Sequence, residues 1–185
     1  MAPYELSEIV VTEQDVIDHF QLLNVNKPAG PDKLSPKFLK AIFPSLVTPL
    51  NLLFNTSLQK GIVPSDWKLA NVSPIYKGKG DQDNVTNYRP ISVTNCFSKL
   101  LEKIIFKYLY NFIHDINILT DHQSDFRNND STINQLLIIY DESLKNLDKG
   151  KDVRLIFCDV SKAFDRVWHK VMGLKEIYII GLIVN

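Results

Sequence analysis

The sequence has little of what defines several classes of protein. Only two cysteines, Cys96 and Cys158, occur in 185 residues. They cannot form a disulfide framework, and we expect both to be small apolar core residues in a reducing compartment. No uninterrupted run approaches the ~18 apolar residues of a membrane span. The first residues also lack the basic start and apolar run of a secretory signal. We therefore expect neither a membrane-spanning nor a disulfide-rich secreted protein.

The chain also has no excess charge of either sign, because 21 lysines and arginines balance 21 aspartates and glutamates. This balance excludes a uniformly basic nucleic-acid-binding coat, although not a local basic surface. Residues 61–110 have 7 basic and 4 acidic side chains, so this middle part is the candidate for binding phosphates. Apolar residues make up 45% of the chain, which is typical of a globular domain with a real core.

Hydrophobic periodicity, capping residues and turn signals predict a mixture of helices and strands. Segments 69–76 and 88–93 are rich in β-forming residues and predict a hairpin with a basic, glycine-rich tip. Segment 153–158 predicts a buried strand. These elements favour an α+β fold or an α/β fragment. The helices are predicted at about 13–23, from Ser35 to a break or kink at Pro44, at 46–60, at 97–113 and at 131–147. Thr12 with Asp15 is the predicted capping box of the first helix, Gly61 is the predicted stop after residue 60, and Trp67 is expected to be a packing anchor.

The stretch from Phe157 to His169 is the most informative for chemistry. Asp159 follows the predicted buried strand, and a carboxylate there can face a cleft. Carboxylate oxygens suit hard cations such as Mg²⁺, which can hold nucleotide phosphates during in-line phosphoryl transfer. On local composition alone, a helix cap or turn residue is the commoner role. No nucleophilic triad, Walker-type phosphate loop or histidine metal-ligand spacing is evident in the sequence.

Several blocks of sequence resemble one protein family when they are taken together. The blocks are Lys27–Asp32, Trp67–Asp81, Asn87–Val93 with Ser98–Lys103, Gln123–Arg127 with Ser131–Thr132, and Phe157–His169. They resemble segments of the reverse transcriptases of non-LTR retrotransposons, in the jockey/LINE-type group. Each block alone is weakly specific. Their order and similar spacings, from about residue 10 to 170, make the resemblance highly specific.

The resemblance implies an α+β fold with the fingers and a partial palm of a right-hand polymerase. Such a fold is helix-rich, with a β-hairpin and a truncated palm sheet. Residues 1–60 would form a helical N-terminal extension, 61–152 the fingers region, and 153–185 the start of the palm with the first catalytic motif. The family's downstream Asp-Asp pair does not occur in this sequence. We therefore expect a truncated domain that is inactive on its own.

The resemblance also implies roles for three residues of the palm. Asp159 would be the catalytic carboxylate and would bind the metal. Val160 would offer its main-chain carbonyl to the same Mg²⁺ ion. Phe164 would lie under the sugar of the incoming nucleotide and exclude a 2′-hydroxyl, favouring deoxynucleotides.

Basic residues of the fingers would bind the nucleotide by the same resemblance. Arg89 and one of Lys77 or Lys79 would meet the triphosphate, because arginine offers a rigid fork and lysine a mobile point charge. Without the resemblance, an exposed, solvated basic turn is the better interpretation. Arg127 is a third candidate for contact with template or nucleotide. Here the chain departs from the family, which usually has glycine where Asp125 stands. That departure puts the local loop geometry in question.

The implied function is that of an RNA-directed DNA polymerase, a nucleotidyltransferase. Its partners would be an RNA template, a DNA primer and deoxynucleotides, its cofactor Mg²⁺, and its location the nucleus or cytoplasm, with no membrane. Two alternatives stay open. One is a non-catalytic nucleic-acid-binding fragment that uses the hairpin tip and Arg127 without a metal. The other is a non-functional retroelement relic.

Overall fold

The computed structural model describes residues 5–120, 122–125 and 127–160. The described chain divides into two compact units, one within residues 5–110 and one within residues 111–160. Its four helices and two-stranded antiparallel sheet confirm the α+β class. The elements are α1 (Glu13–Gln21), α2 (Pro36–Lys60), β1 (Ala70–Tyr76), β2 (Tyr88–Thr94), α3 (Cys96–Asp115) and α4 (Thr132–Leu147).

Helix α1 begins with the capping box that its sequence predicts. The Thr12 hydroxyl accepts a hydrogen bond from the Asp15 N–H at 3.1 Å, and the Asp15 carboxylate accepts one from the Thr12 N–H at 3.0 Å. These bonds satisfy donors that the first turn of a helix leaves unpaired. Val16 and Phe20 lie on the buried face. The helix ends two residues before the predicted end.

Helix α2 is one continuous element of 25 residues, so the prediction of a helix end at Pro44 with a new start at Leu46 is wrong, while the alternative of a kink at Pro44 stays a prediction. A proline inside a helix removes one backbone hydrogen bond. Here Leu39 before Pro44 and Phe54 after it are buried in the same apolar core, and this packing outweighs the lost bond. The helix ends at Gly61 with φ 61°, the left-handed conformation that the predicted glycine stop requires.

Among the described helices, α2 is the one whose length and composition alone would allow a membrane span. The criterion of an unbroken apolar run did not detect it, because prolines, asparagines and hydroxyl residues interrupt the apolar ones. Core helices of soluble proteins meet the same criterion, and a single such helix is weak evidence for a membrane.

The core of the first unit is formed by the buried faces of α1, α2 and α3. Trp67 packs edge-on against Phe54, with ring centroids 5.7 Å apart, as expected of a packing anchor. Gly30 lies against the start of α3, where an added Cβ would be 2.6 Å from the Asn95 Cα. The Lys27–Asp32 block therefore needs a glycine at this position for close backbone packing.

Strands β1 and β2 pair in the predicted hairpin, with Tyr76 opposite Tyr88 and Pro74 opposite Pro90. The Lys77 N–H donates to the Asn87 carbonyl at 2.8 Å. Antiparallel pairs alternate between hydrogen-bonded and non-hydrogen-bonded, so the two prolines face each other at a non-hydrogen-bonded pair. Their missing N–H groups would have pointed outward, and the ladder loses nothing.

In the second unit, the predicted buried strand at 153–158 is wrong. Residues 151–160 have no regular secondary structure, and Ile156 and Phe157 are 86% and 83% exposed. A strand needs a hydrogen-bonded neighbour, and no described segment pairs with this one. Cys158 is exposed rather than buried, which corrects a second expectation, whereas Cys96 is buried as expected.

Helix α4 lies where it was predicted, with Ser131 as its N-cap. None of its side chains is buried by the described residues. Its amphipathic pattern is that of a helix that packs on a core, but Leu136 and Leu137 are each 58% exposed.

Candidate functional site

The β-hairpin presents two of the predicted phosphate-binding residues on one face. Lys77 follows β1 and Arg89 lies near the start of β2, and Arg89 is paired with Ile75. Because successive side chains of a strand alternate between faces, Lys77 and Arg89 share a face and Tyr76 and Tyr88 share the other. Arg89 is exposed, and its guanidinium makes no hydrogen bond or ion pair with any described residue.

The tip loop, residues 77–87, is held together by polar side chains of the loop and of the strand ends that flank it. Gly78 and Gly80 adopt φ of 75° and 83°, which side chains with a Cβ rarely adopt. Four side chains donate to loop carbonyls. They are the Tyr76 hydroxyl to Gly80, the Asn87 amide to Asp81 at 2.7 Å, the Tyr88 hydroxyl to Gln82 at 2.9 Å and the Lys77 ammonium to Thr86 at 2.6 Å.

These contacts separate the two lysines between which the sequence could not decide. The Lys77 ammonium is bound to the Thr86 carbonyl, so it helps to close the loop. Lys79 is exposed, and it makes no hydrogen bond or ion pair within the described part of the chain. Lys79 is therefore the one of the two lysines whose ammonium has no described partner, whereas the exposed Lys77 ammonium keeps its charge but donates one N–H to the Thr86 carbonyl.

Arg127 lies in the loop before α4 and is engaged within that loop. Its guanidinium donates to the Thr120 carbonyl at 3.2 Å, and the side chain is half-buried. The pKa of the nearby Asp130 is lowered, chiefly by a hydrogen bond from the Ser131 N–H, and Arg127 adds a small electrostatic effect. These contacts give Arg127 a structural role in its loop.

Asp125 does not adopt the left-handed conformation that glycine would allow. The described non-glycine residues with positive φ are Lys33, Asn117 and Asn129. Asp125 is exposed, and its carbonyl accepts a hydrogen bond from the Gln123 amide at 3.3 Å. The aspartate therefore causes no strain of this kind in the loop.

Asp159 and Val160 are exposed and lie in the segment without regular structure. Phe164 lies outside the described residues. Within the described ranges, no three His, Cys, Asp or Glu side chains are grouped to hold a metal ion. Mg²⁺ demands near-octahedral oxygen coordination, so one carboxylate and one carbonyl do not make a complete site.

Sequence reasoning missed Tyr76, Asn87 and Tyr88 as the residues whose side chains bind the tip-loop carbonyls. The usable signal was two tyrosines at the inner ends of two β-rich segments that flank a glycine-rich turn. Only the strand register, which pairs Tyr76 with Tyr88, shows that they act at the same place.

Comparisons with known proteins agree on one family. The family model described as reverse transcriptase (RNA-dependent DNA polymerase) matches residues 76–172. The chain is 31% identical over 156 residues to the probable RNA-directed DNA polymerase from transposon BS of Drosophila melanogaster, covering 84% of this chain and 17% of the relative. It is 30% identical over 173 residues to that from transposon X-element of the same species, covering 94% and 18%.

A third relative is the RNA-directed DNA polymerase from mobile element jockey of Drosophila melanogaster. Its identity is 28% over 170 residues, covering 91% of this chain and 19% of the relative. The chain thus spans less than a fifth of the length of these curated relatives. The matched range of the family model begins at Tyr76, and it includes every site residue that the sequence predicts, from Lys77 to Phe164.

Proposed function

Because the chain belongs to the reverse transcriptase family of RNA-dependent DNA polymerases, we propose that it forms the fingers and the beginning of the palm of a right-hand RNA-directed DNA polymerase. Its relatives are polymerases of non-LTR retrotransposons. The substrates would be an RNA template, a DNA primer and deoxynucleoside triphosphates. The polymerase would be located in the nucleus or the cytoplasm.

The observation that supports this function best is the chemistry of the hairpin. Lys79 and Arg89 are exposed cations whose charges are not neutralised by any described carboxylate. A guanidinium and an ammonium on a short hairpin suit the oxygens of a triphosphate. Lys77, bound to the Thr86 carbonyl, would maintain the loop. In this proposal Arg127 supports its own loop and contacts the template only secondarily.

The palm residues complete the proposal. Asp159 would supply a carboxylate oxygen and Val160 a carbonyl oxygen to a Mg²⁺ ion, which would neutralise phosphate charge when bound. Phe164 would favour deoxynucleotides by contact with the sugar. The described residues supply only part of the ligands that such an ion needs.

Binding of deoxythymidine triphosphate to the 185-residue chain tests the hairpin part of the proposal. We expect Lys79→Met and Arg89→Met each to raise the Kd about tenfold, the effect of losing one hydrogen bond between charged groups. Lys37→Met is the matched control, because Lys37 is an exposed lysine of α2 without a described partner. Equal Kd values for Lys79→Met, Arg89→Met and the control would refute triphosphate binding by the hairpin.

A non-catalytic nucleic-acid-binding role is the second candidate. It is favoured because the hairpin presents the exposed cations Lys79 and Arg89, whereas the described residues supply only part of a set of metal ligands. Binding of single-stranded RNA would then weaken with salt and persist in Asp159→Ala. Mg²⁺-dependent binding that is lost in Asp159→Ala would exclude this candidate.

A further inference from the structure

Two tyrosines face each other where the hairpin strands meet the tip loop. Tyr76 and Tyr88 are cross-strand partners, and their ring centroids are 5.5 Å apart. Both side chains are half-buried although the hairpin around them is exposed. They form a non-hydrogen-bonded pair, the arrangement in which opposite side chains approach most closely. The pair is therefore a fixed platform at the base of the tip loop.

The two tyrosine hydroxyls and the Asn87 amide bind carbonyl groups of the loop backbone. The Tyr76 hydroxyl donates to the carbonyl of Gly80, the Asn87 amide to that of Asp81, and the Tyr88 hydroxyl to that of Gln82. Three consecutive carbonyls are thus bound by the side chains of two strand-end tyrosines and of Asn87, the last residue of the loop. Oxygens held in this way are kept from facing an anion, which they would repel.

The N–H groups of the same loop are left unused. Within the described residues, the backbone N–H groups of residues 78–82 make no hydrogen bond. Successive unpaired N–H groups in a turn with alternating conformations are a known kind of anion-binding concavity. The Asp81 carboxylate, which would oppose an anion, accepts a hydrogen bond from the Asp83 N–H at 3.1 Å.

Gly80 links the platform to the loop. An added Cβ at this residue would lie 2.5 Å from the Asn87 amide nitrogen, and its φ of 83° disfavours any side chain. The loop therefore lies directly against the side chains that bind its carbonyls. A looser loop would lose these carbonyl contacts.

We propose that Tyr76 and Tyr88 are positioning residues for the triphosphate. Their hydroxyls hold the carbonyls of Gly80 and Gln82, and this keeps the N–H groups of residues 78–82 and the Lys79 ammonium available together for phosphate oxygens. The inference rests on the proposed function of the hairpin and deepens it, because recognition would depend on backbone N–H groups as well as on charge.

Removing the hydroxyls tests the proposal in the 185-residue chain. We expect Tyr76→Phe and Tyr88→Phe each to raise the Kd for deoxythymidine triphosphate about three- to tenfold, with an unchanged melting temperature. The Kd for the monophosphate should change less, because it offers fewer oxygens. Tyr140→Phe is the control, since Tyr140 is an exposed tyrosine of α4 without a described hydrogen bond.

Two further measurements separate positioning from general loss of structure. In the Tyr76→Phe, Tyr88→Phe double variant, the additional effect of Lys79→Met should shrink, because the lysine is no longer held in place. The backbone amide chemical shifts of Gly78 and Gly80 should change in that variant, while those of α3 stay the same.

The outcomes distinguish this inference from the proposed function. If Lys79→Met weakens binding and both phenylalanine variants bind as tightly as the unchanged chain, the positioning role is refuted and the function stands. If the binding loss follows a loss of helical signal, positioning is refuted as well. If the unchanged chain does not bind the triphosphate, both the hairpin function and the inference fail.

Discussion

At the scale of single residues, Asp15 is both the capping-box residue of α1 and a buried acceptor of several hydrogen bonds. Its carboxylate is 4% exposed. It accepts hydrogen bonds from Thr12, from the Lys107 ammonium at 2.8 Å and from the Tyr108 hydroxyl at 2.8 Å. Burial alone would raise the pKa of Asp15, but these bonds outweigh it and hold the pKa well below its usual range. One carboxylate thus joins α1 to α3.

Removing this charge should destabilise the first unit. We expect Asp15→Asn to lower the free energy of unfolding by roughly 2–4 kcal/mol, because it removes a buried carboxylate charge that accepts hydrogen bonds from Thr12, Tyr108 and the half-exposed Lys107. Urea denaturation followed by circular dichroism measures the loss. Asp18→Asn is the control, since Asp18 is exposed on the same helix and its one hydrogen-bond donor among the described residues is the exposed Gln14. A similar free-energy loss in both variants would contradict the special role of Asp15.

The same carboxylate predicts a dependence of stability on acid. The folded-state pKa of Asp15 lies below its ordinary value of 3.8. Its contribution to stability is therefore fully present above that pH and is lost as the pH falls towards the folded-state pKa. We expect the stability difference between the unchanged chain and Asp15→Asn to shrink below about pH 4. Urea titrations at pH 7, 4 and 3 measure it, and a constant difference would contradict the assignment.

At the scale of elements, the hairpin has a feature that hinders association with other chains, whereas α4 does not. The hairpin has two edge strands, and Pro74 and Pro90 remove an outward N–H from each at the same level. Unpaired strand edges invite association with other chains, and proline blocks it. Helix α4 has no comparable feature. Its apolar side chains are exposed among the described residues.

Restoring the two outward N–H groups should promote self-association. We expect Pro74→Thr with Pro90→Thr to keep the hairpin but to shift the chain towards larger species at micromolar concentration. Size-exclusion chromatography with light scattering measures this. Ser73→Thr raises β-propensity without adding an N–H and serves as the control. Equal elution of the double variant and the control would show that the prolines do not protect the edges.

Helices α3 and α4 should respond differently to loss of an apolar side chain. Leu101 is 1% exposed and Leu136 is 58% exposed. We expect Leu101→Ala to lower the free energy of unfolding by about 2–5 kcal/mol, whereas Leu136→Ala should change it by less than about 0.5 kcal/mol. Urea denaturation of both variants measures the two losses of unfolding free energy. A loss above about 2 kcal/mol for Leu136→Ala would show that the apolar face of α4 is buried in the folded chain.

At the scale of the whole molecule, the number of acidic residues that could bind metal ions determines the polymerase activity that we expect. The sequence contains Asp159, which the proposed function assigns to the palm, but no Asp-Asp pair, and two-metal phosphoryl transfer needs several acidic ligands. We expect the 185-residue chain by itself not to extend a DNA primer on an RNA template at any Mg²⁺ concentration. Extension measured on a denaturing gel, and abolished by Asp159→Ala, would overturn this expectation.

Sequence reasoning succeeded where the signal is local. The capping box at Thr12, the glycine stop at Gly61 and the hairpin pairing all depend on residues within a few positions or on one short turn. It failed for segment 153–158, because β-rich composition predicts a strand only where a pairing partner exists. The predicted helix end at Pro44 was wrong, because packing of the residues on either side overrides a local helix breaker.

The amino-acid sequence by itself determined the family, the α+β class and the set of candidate site residues, because motif order and short-range capping and turn chemistry are written in neighbouring residues. Only the tertiary structure decided that the Lys77 ammonium binds the Thr86 carbonyl whereas Lys79 has no described partner, that Tyr76 and Tyr88 bind the same loop, and that Asp15 meets Lys107. Each of these depends on strand register or helix packing, which bring together residues that are distant along the chain.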